Sequence, residues 1–279
     1  MKKFTKFCFI LCGILIVLGI IGITAGMALG VKPGQFLNLA HYNNHTFPWN
    51  EEDFWEEIRE DGMDEHSEYE LEKLYDSANF RKLNLELNHA VIHVYHHEKD
   101  GILVKAGNAG NYFRCREDED ELTLTDDRPG SQETLQLEIY LPGRKLEKMN
   151  LEIGASVLYA DKLYADEITI TVGAGEVSIG ELMADREADL EVGAGEMEVK
   201  YFSGGNLDLE CGIGVLYVTA EGSTADYNYE VTGGIGEISI NGESYAGLGF
   251  EHRKDNGAAR KVQMECGIGE IALDFAEDI

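Results

Sequence analysis

The second half of the chain repeats one motif: a hydrophobic strand end, then Gly-x-Gly, then a second short alternating strand. It reads LEIGASVLYA from Leu151, ITVGAGEVSI from Ile170, LEVGAGEMEV from Leu190, LECGIGVLYV from Leu209, VTGGIGEISI from Val231 and MECGIGEIAL from Met264. The first glycines of the copies, Gly154, Gly173, Gly193, Gly212, Gly234 and Gly267, recur at about 20 residues, with the last interval longer. Alternation on both sides of the glycines means two short strands per repeat. Around Gly193, Leu190, Val192, Met197 and Val199 share one side while Glu191, Glu196 and Glu198 face the other. One such unit cannot bury its inner face alone. Coils stacked about 4.8 Å apart create a continuous core and satisfy the backbone between coils. The expected fold is all-β, a β-solenoid with about 20 residues per coil.

A phosphate-binding glycine loop needs a helix after the glycines. Here EVSI, EMEV and EISI follow, which is strand pattern. The calcium-binding nonapeptide repeat is also excluded, because its unit recurs about every nine residues and SGGNLDLEC at Ser203 occurs once.

The chain has 279 residues, with 52 Asp and Glu against 23 Lys and Arg and a formal net charge of −29. This balance argues against nucleic acid or anionic lipid as a direct ligand, since both require clustered basic residues. Cationic partners and simple solubility remain open. Of the five cysteines, Cys8 and Cys12 lie in the hydrophobic N-terminus and Cys115 stands alone. Cys211 and Cys266 hold the same inward place in two copies. With the copy at Gly234 between them they stand two coils apart, about 9.6 Å. A disulfide tolerates a Cα separation of only about 7 Å, so none is expected.

Lys2, Lys3 and Lys6 precede residues 7–31, which carry no charge. A run of that length crosses a bilayer of about 30 Å as a helix. We place a cytoplasmic tail at 1–6, a transmembrane anchor at 7–29, an acidic juxtamembrane linker with short helices at 30–78 and the β-solenoid at 79–279. The lysines put the N-terminus in the cytoplasm and the C-terminal domain outside the cell membrane. A cleaved signal peptide is the alternative, with Gly26 and Ala28 near a cleavage point, but the apolar run exceeds the usual 7 to 15 or so residues. In the linker, Pro48 can open a helix bearing Trp49, Phe54, Trp55 and Ile58, and Glu68 to Tyr75 reads as another turn or two.

LELNHAVIHV, residues 85–94, overlays the repeat and puts Leu85, Leu87, Ile92 and Val94 inside. That register separates the histidines: His89 falls on the corner, His93 points outward, and His96 and His97 lie in the next turn. Residues four apart on a strand are about 13 Å apart, so no metal site is assigned. ILVKAG, NYFRCRE, ELTLTDD and LQLEIYLP are irregular strands that cover one end of the stack, punctuated by Arg128-Pro129-Gly130 and other turns. The other end has only Phe275 to Ile279 after the last strand. Between Ile240 and Val262 the rhythm breaks, with a faint Gly-x-Gly at Gly247 that fits a degenerate coil with an extruded loop. Arg253, Lys254, Arg260 and Lys261 there form a basic cluster that either contacts a partner or balances local charge.

The FRKLNLELNHAVIHV opening, the LQLEIYLPGRKLEKMNLEIG junction and the LEVGAGEMEV-type repeats together resemble a bacterial family. It is the "putative adhesin" β-strand-repeat domain of unknown function found in Gram-positive envelope proteins, including Lia-type members of cell-envelope stress systems. The likeness covers about residues 79 to 275. It implies a β-solenoid in the cell envelope and brings no catalytic residues with it. The first corner at Asn88 to Ala90 and the insertion near Gly247 depart from the pattern.

No G-x-S-x-G, H-E-x-x-H or phosphate loop is present, and no catalytic, cofactor-binding or metal-binding residue is assigned. The expected function is a non-enzymatic interaction or regulatory protein of the envelope, with stress sensing or adhesion as its role. Its expected partners are the membrane through residues 7–29, envelope signalling proteins or cationic peptides, and other copies of itself. A structural solenoid that polymerises through its C-terminal coil is one alternative. A carbohydrate-active β-helix enzyme is another, although its carboxylates recur with the repeat instead of forming one singular pair.

Overall fold

The computed structural model describes residues 69–75, 80–129 and 133–277. Contacts divide the chain between Met1–His66 and Ser67–Ile279, and the described residues lie in the second unit. The tail, the anchor at 7–29 and the helix expected after Pro48 lie outside the described residues. Those residues form β1 (Leu71–Tyr75), β2 (Lys82–Leu87), β3 (Ala90–His97), β4 (Ile102–Gly107), β5 (Phe113–Asp118), β6 (Glu121–Asp126) and β7 (Leu135–Pro142). After them come β8 (Leu146–Ala220), β9 (Tyr227–Gly233), β10 (Glu237–Ile240), β11 (Glu243–Ala246), β12 (Phe250–Lys254), β13 (Arg260–Cys266) and β14 (Glu270–Phe275). The described fold is all-β, with one short 3-10 turn at Thr224–Asp226.

β8 continues for 75 residues. Straight, it would extend about 250 Å at roughly 3.3 Å per residue, so it has to bend. It bends at the glycines, and the bends lie over one another. A Cβ built on Gly193 would sit 2.7 Å from the carbonyl oxygen of Gly173, and one on Gly212 would sit 2.7 Å from that of Gly193. One on Gly267 meets Gly212 at 2.7 Å, and one on Gly234 meets Gly267 at 2.7 Å. The column of corners therefore runs 154, 173, 193, 212, 267, 234.

The last two corners are out of chain order, which overturns the expected placing of the copy at Gly234. β13 enters as a parallel strand between β8 and β9, with Met264 opposite both Leu209 and Val231. β14 likewise lies between β8 and β10. Cys211 and Cys266, expected two coils apart, are register partners on neighbouring strands.

Before the corners, the strands lie in the order β5, β6, β2, β8, β13, β9, β12; after them, in the order β1, β4, β7, β3, β8, β14, β10, β11. Pairing is parallel through the middle and antiparallel at both ends. β5 runs antiparallel to β6, β4 to β7 and β1 to β4. At the far end β12 runs antiparallel to β9 and β11 to β10. Two sequence expectations are corrected here. Residues 243–254 are not a degenerate coil but two strands, β11 and β12, that pair antiparallel with β10 and β9, so that end is not left to the residues after β14. Leu71–Tyr75, expected in a helical turn, is a strand paired with β4. Short, charged antiparallel edges end a parallel stack without offering it a matching template. End-to-end growth through an exposed C-terminal coil thus loses its premise.

The inward residues form one core. Leu85, Leu87, Ile92 and Val94 are buried as their register requires, and Leu85 pairs with Leu151 and Ile92 with Leu158. Leu190, Met197, Leu209, Leu216, Met264 and Ile271 continue the same two rows. Each such side chain contributes about 1.5–3 kcal/mol by leaving water. With the inner face so committed, the outer rows and the corners are left for interaction.

Candidate interaction surface

The residues singled out by sequence go to separate places. His89 sits on its corner, with Nδ1 2.9 Å from the Ala155 carbonyl and Nε2 3.0 Å from the Thr134 hydroxyl. Its two ring nitrogens thus bridge the corner in β8 and the segment just before β7. His93 is half-buried, its ring centroid 6.0 Å from that of Tyr95 and 5.3 Å from that of Tyr159, and burial lowers its pKa. His96 is lowered for the same first reason. His97 lies 3.0 Å from the Gly101 carbonyl through Nε2. In the basic cluster, Arg253 and Lys261 both bind Glu230, at 2.6 and 2.9 Å, and hold its carboxyl below the usual range. Arg260 lies over the Tyr227 ring at 4.2 Å and within 3.9 Å of Asp226. These three cations are held by their own chain, which favours local charge balance. Lys254 closes β12 and is exposed.

The outer rows before the corners carry carboxylates in columns. Glu265 is opposite Glu210, and Gln263 is opposite Asp208. Opposed side chains on neighbouring strands stand about 5 Å apart, and like charges so placed repel. Burial and then Glu191 raise the pKa of Asp189. Burial, then Asp189 and Glu187, raise that of Asp208, with Lys261 opposing. Burial, then Asp208, Glu265 and Glu191, raise that of Glu210. One buried oxygen of Asp208 has no hydrogen-bond partner.

A carboxyl whose pKa is raised in the fold binds its proton more tightly folded than unfolded. Its destabilising effect is therefore fully present above the folded pKa and disappears as pH falls to the ordinary carboxylate value. Asp208→Asn should raise the melting temperature at pH 7 by about 2 °C. The gain should shrink on acidification toward about pH 4, as wild-type Asp208 takes up its proton. Thermal unfolding of both chains across that range measures the difference. A gain that does not change with pH would remove repulsion as its cause.

The middle residue of each corner adds a second element. It is alanine at Ala155, Ala174 and Ala194, and isoleucine at Ile213, Ile268 and Ile235. These isoleucines are 61, 55 and 65% exposed. Because the corners stack as 212, 267, 234, the three lie on successive strands over about 10 Å. Leu248, 85% exposed, sits in the turn between β11 and β12, where Gly249 N donates to Gly234 O at 2.8 Å. Val215 flanks the isoleucines directly after the corner, opposite Glu270, which in turn is opposite Glu237. A shallow groove there is lined by Val215, Ile235, Ile268, Ala246, Glu237 and Glu270.

Single exposed apolar residues are ordinary, whereas a contiguous strip rimmed by charge marks an interaction surface. Glu210 and Glu265 edge the strip on one side, and Glu196, Glu270 and Glu237 on the other. The sequence reading passed over these isoleucines because they fall between strands, outside the alternation that identifies faces. The change from Gly-Ala-Gly to Gly-Ile-Gly was the available signal.

No family model matches the chain, and no curated protein is similar to it. Solved structures are. One is described as a "putative cell adhesion protein" from Clostridium sporogenes, with 14% identity and a TM-score of 0.44 over 74% of this chain and 98% of that one. A "putative adhesin" from Bacteroides fragilis has 14% identity and a TM-score of 0.31 over 73% of this chain and 96% of that one. A "putative lipid binding protein" from Parabacteroides distasonis has 11% identity and a TM-score of 0.32 over 74% and 92%. At such identities the chain's own residues have to define its surface.

Proposed function

We propose that this chain is a non-enzymatic interaction protein of the bacterial envelope, a β-solenoid of about 20 residues per coil tethered outside the cell by residues 7–29. The stacked glycine corners and the parallel register support the solenoid reading. The uncharged N-terminal run behind three lysines supports the anchor. The single observation that carries the function is the Ile213–Ile268–Ile235 strip between two carboxylate columns. Its complement is a cationic amphipathic segment, whose apolar side covers the isoleucines while its lysines or arginines meet the glutamates. Sensing of such segments, as peptides or as parts of envelope signalling proteins, is the role we assign.

The test uses the full chain in zwitterionic lipid nanodiscs and a fluorescent cationic amphipathic peptide, with empty nanodiscs as the control. Affinity should fall as salt rises, because the attraction is screened over about 8–10 Å. The double variant Ile213→Ser, Ile268→Ser should weaken binding by about tenfold or more while leaving the melting temperature within about 2 °C, since both side chains are exposed. Affinity that ignores both salt and the double variant would overturn the proposal.

A further inference from the structure

The insertion of β13 beside β8 makes neighbours of two thiols whose copies are far apart in sequence. Cys211 and Cys266 are in register on adjacent parallel strands and are 2% and 1% exposed. Backbone hydrogen bonds fix the step between them, from Gly267 N to Cys211 O at 2.8 Å and from Ile268 N to Gly212 O at 2.7 Å. Directly paired residues of neighbouring strands have Cα atoms about 4.8 Å apart, inside the roughly 4.4–6.8 Å window of disulfides. Val192 precedes the cysteines in this inward column and Gly233 follows, so the thiols stand beside each other with backbone or apolar side chains around them. Both are free thiols here.

We propose that Cys211 and Cys266 are a disulfide-forming site that locks the inserted C-terminal coil, β13 and β14, onto β8. The oxidant is an external disulfide, as found in an exchange catalyst or a small-molecule disulfide. One cysteine thiolate attacks it, forming a mixed disulfide and releasing one thiolate. The second cysteine thiolate then attacks the protein sulfur of that mixed disulfide and expels the other. The two electrons and the two cysteine protons end on the reduced oxidant as two thiols. Burial pushes the Cys211 thiol up to about 11, and burial also raises Cys266, so the native pair reacts slowly. The bond therefore forms while β13 is entering the stack, and once formed it is shielded from reductant by the same burial.

In a cell the bond needs an oxidising compartment, and to that extent it rests on the extracytoplasmic reading. The geometric claim is separable, because it is tested in vitro. The full chain in detergent is unfolded with reductant and refolded into a mixture of reduced and oxidised glutathione. It is then blocked with N-ethylmaleimide and digested without reduction. The expected product is a peptide pair joined through Cys211 and Cys266, with Cys115 blocked. The oxidised chain should melt about 8 °C above the reduced one, a difference abolished by dithiothreitol in the unfolded state and absent in Cys266→Val. Val192 in the same column shows that valine fits there. Refolded chain in which both cysteines carry the blocking group, or in which Cys211 is joined to another cysteine, would overturn the assignment. If the pair forms in vitro but is absent from chain isolated from cells, the site stands and the extracytoplasmic reading fails.

Discussion

Gly195→Ala is expected to abolish folding or come close to it, whereas Gly242→Ala is expected to be tolerated. Both glycines have left-handed backbone, φ +144° at Gly195 and +73° at Gly242, so an alanine is strained at each. That strain costs about 1–2 kcal/mol. What separates the two positions is the neighbouring corner. A Cβ on Gly195 would lie 2.0 Å from the Gly175 carbonyl oxygen and 2.9 Å from the Gly175 nitrogen, while one on Gly242 meets nothing within 4 Å. The atoms in the way are backbone and hydrogen-bonded into the stack. They cannot yield without breaking the strand pairing on which the later corners rest. The loss at Gly195 should exceed about 4 kcal/mol, a large part of a typical total of roughly 5–15 kcal/mol. Denaturant unfolding followed by circular dichroism measures both variants against wild type. A Gly195→Ala chain within about 1 kcal/mol of Gly242→Ala would mean that the corners do not approach each other as closely as the column requires.

The same corners mark the boundary of what could be read from sequence. Two strands flank each glycine pair, and the side each residue faces follows from alternation alone, so Leu85, Ile92, Leu190 and Met197 fall in the core as expected. Alternation is local and carries no information about which strand lies beside which. Stacking in chain order is the simplest assumption, and it misplaces Cys266 by one strand. A clue existed in ECGIG, which occurs at 210–214 and again at 265–269 but not in the copy between them. The two matching segments lie directly on one another. The end of the stack was misread for a related reason. The 243–254 segment lacks clean alternation because its two edge strands are exposed on most positions, and only Tyr245 and Phe250 pack partly against the core. The candidate surface was legible in half: the outward glutamates follow from the pattern, while the isoleucines between them sit at bends, where a strand pattern assigns no face.

Removing Arg128, which the sequence places in a turn, should be nearly as damaging as Gly195→Ala. Its Nε lies 2.7 Å from Asp126 Oδ2, with the two side chains 2% and 0% exposed. The guanidinium also donates to the carbonyls of Glu133 and, at 3.4 Å, Ala109, tying the loop after β6 to the start of β7 and to the turn before β5. The other carboxylate oxygen of Asp126 is buried without a hydrogen-bond partner. The aspartate charge thus depends on Arg128 alone among the described side chains that contact it. Arg128→Met should therefore cost about 3–5 kcal/mol, since it leaves a buried charge uncompensated. Asp126→Leu alone should be comparably harmful, because it strands the guanidinium. The double variant removes both charges at once, and an apolar pair of similar volume is often neutral to the fold. It should recover most of the loss, with a coupling of at least about 2 kcal/mol in a double-mutant cycle. Additive losses would instead show that Arg128 acts through its two carbonyl contacts, and that this cap of the stack is held by loop hydrogen bonds with the ion pair contributing nothing of its own.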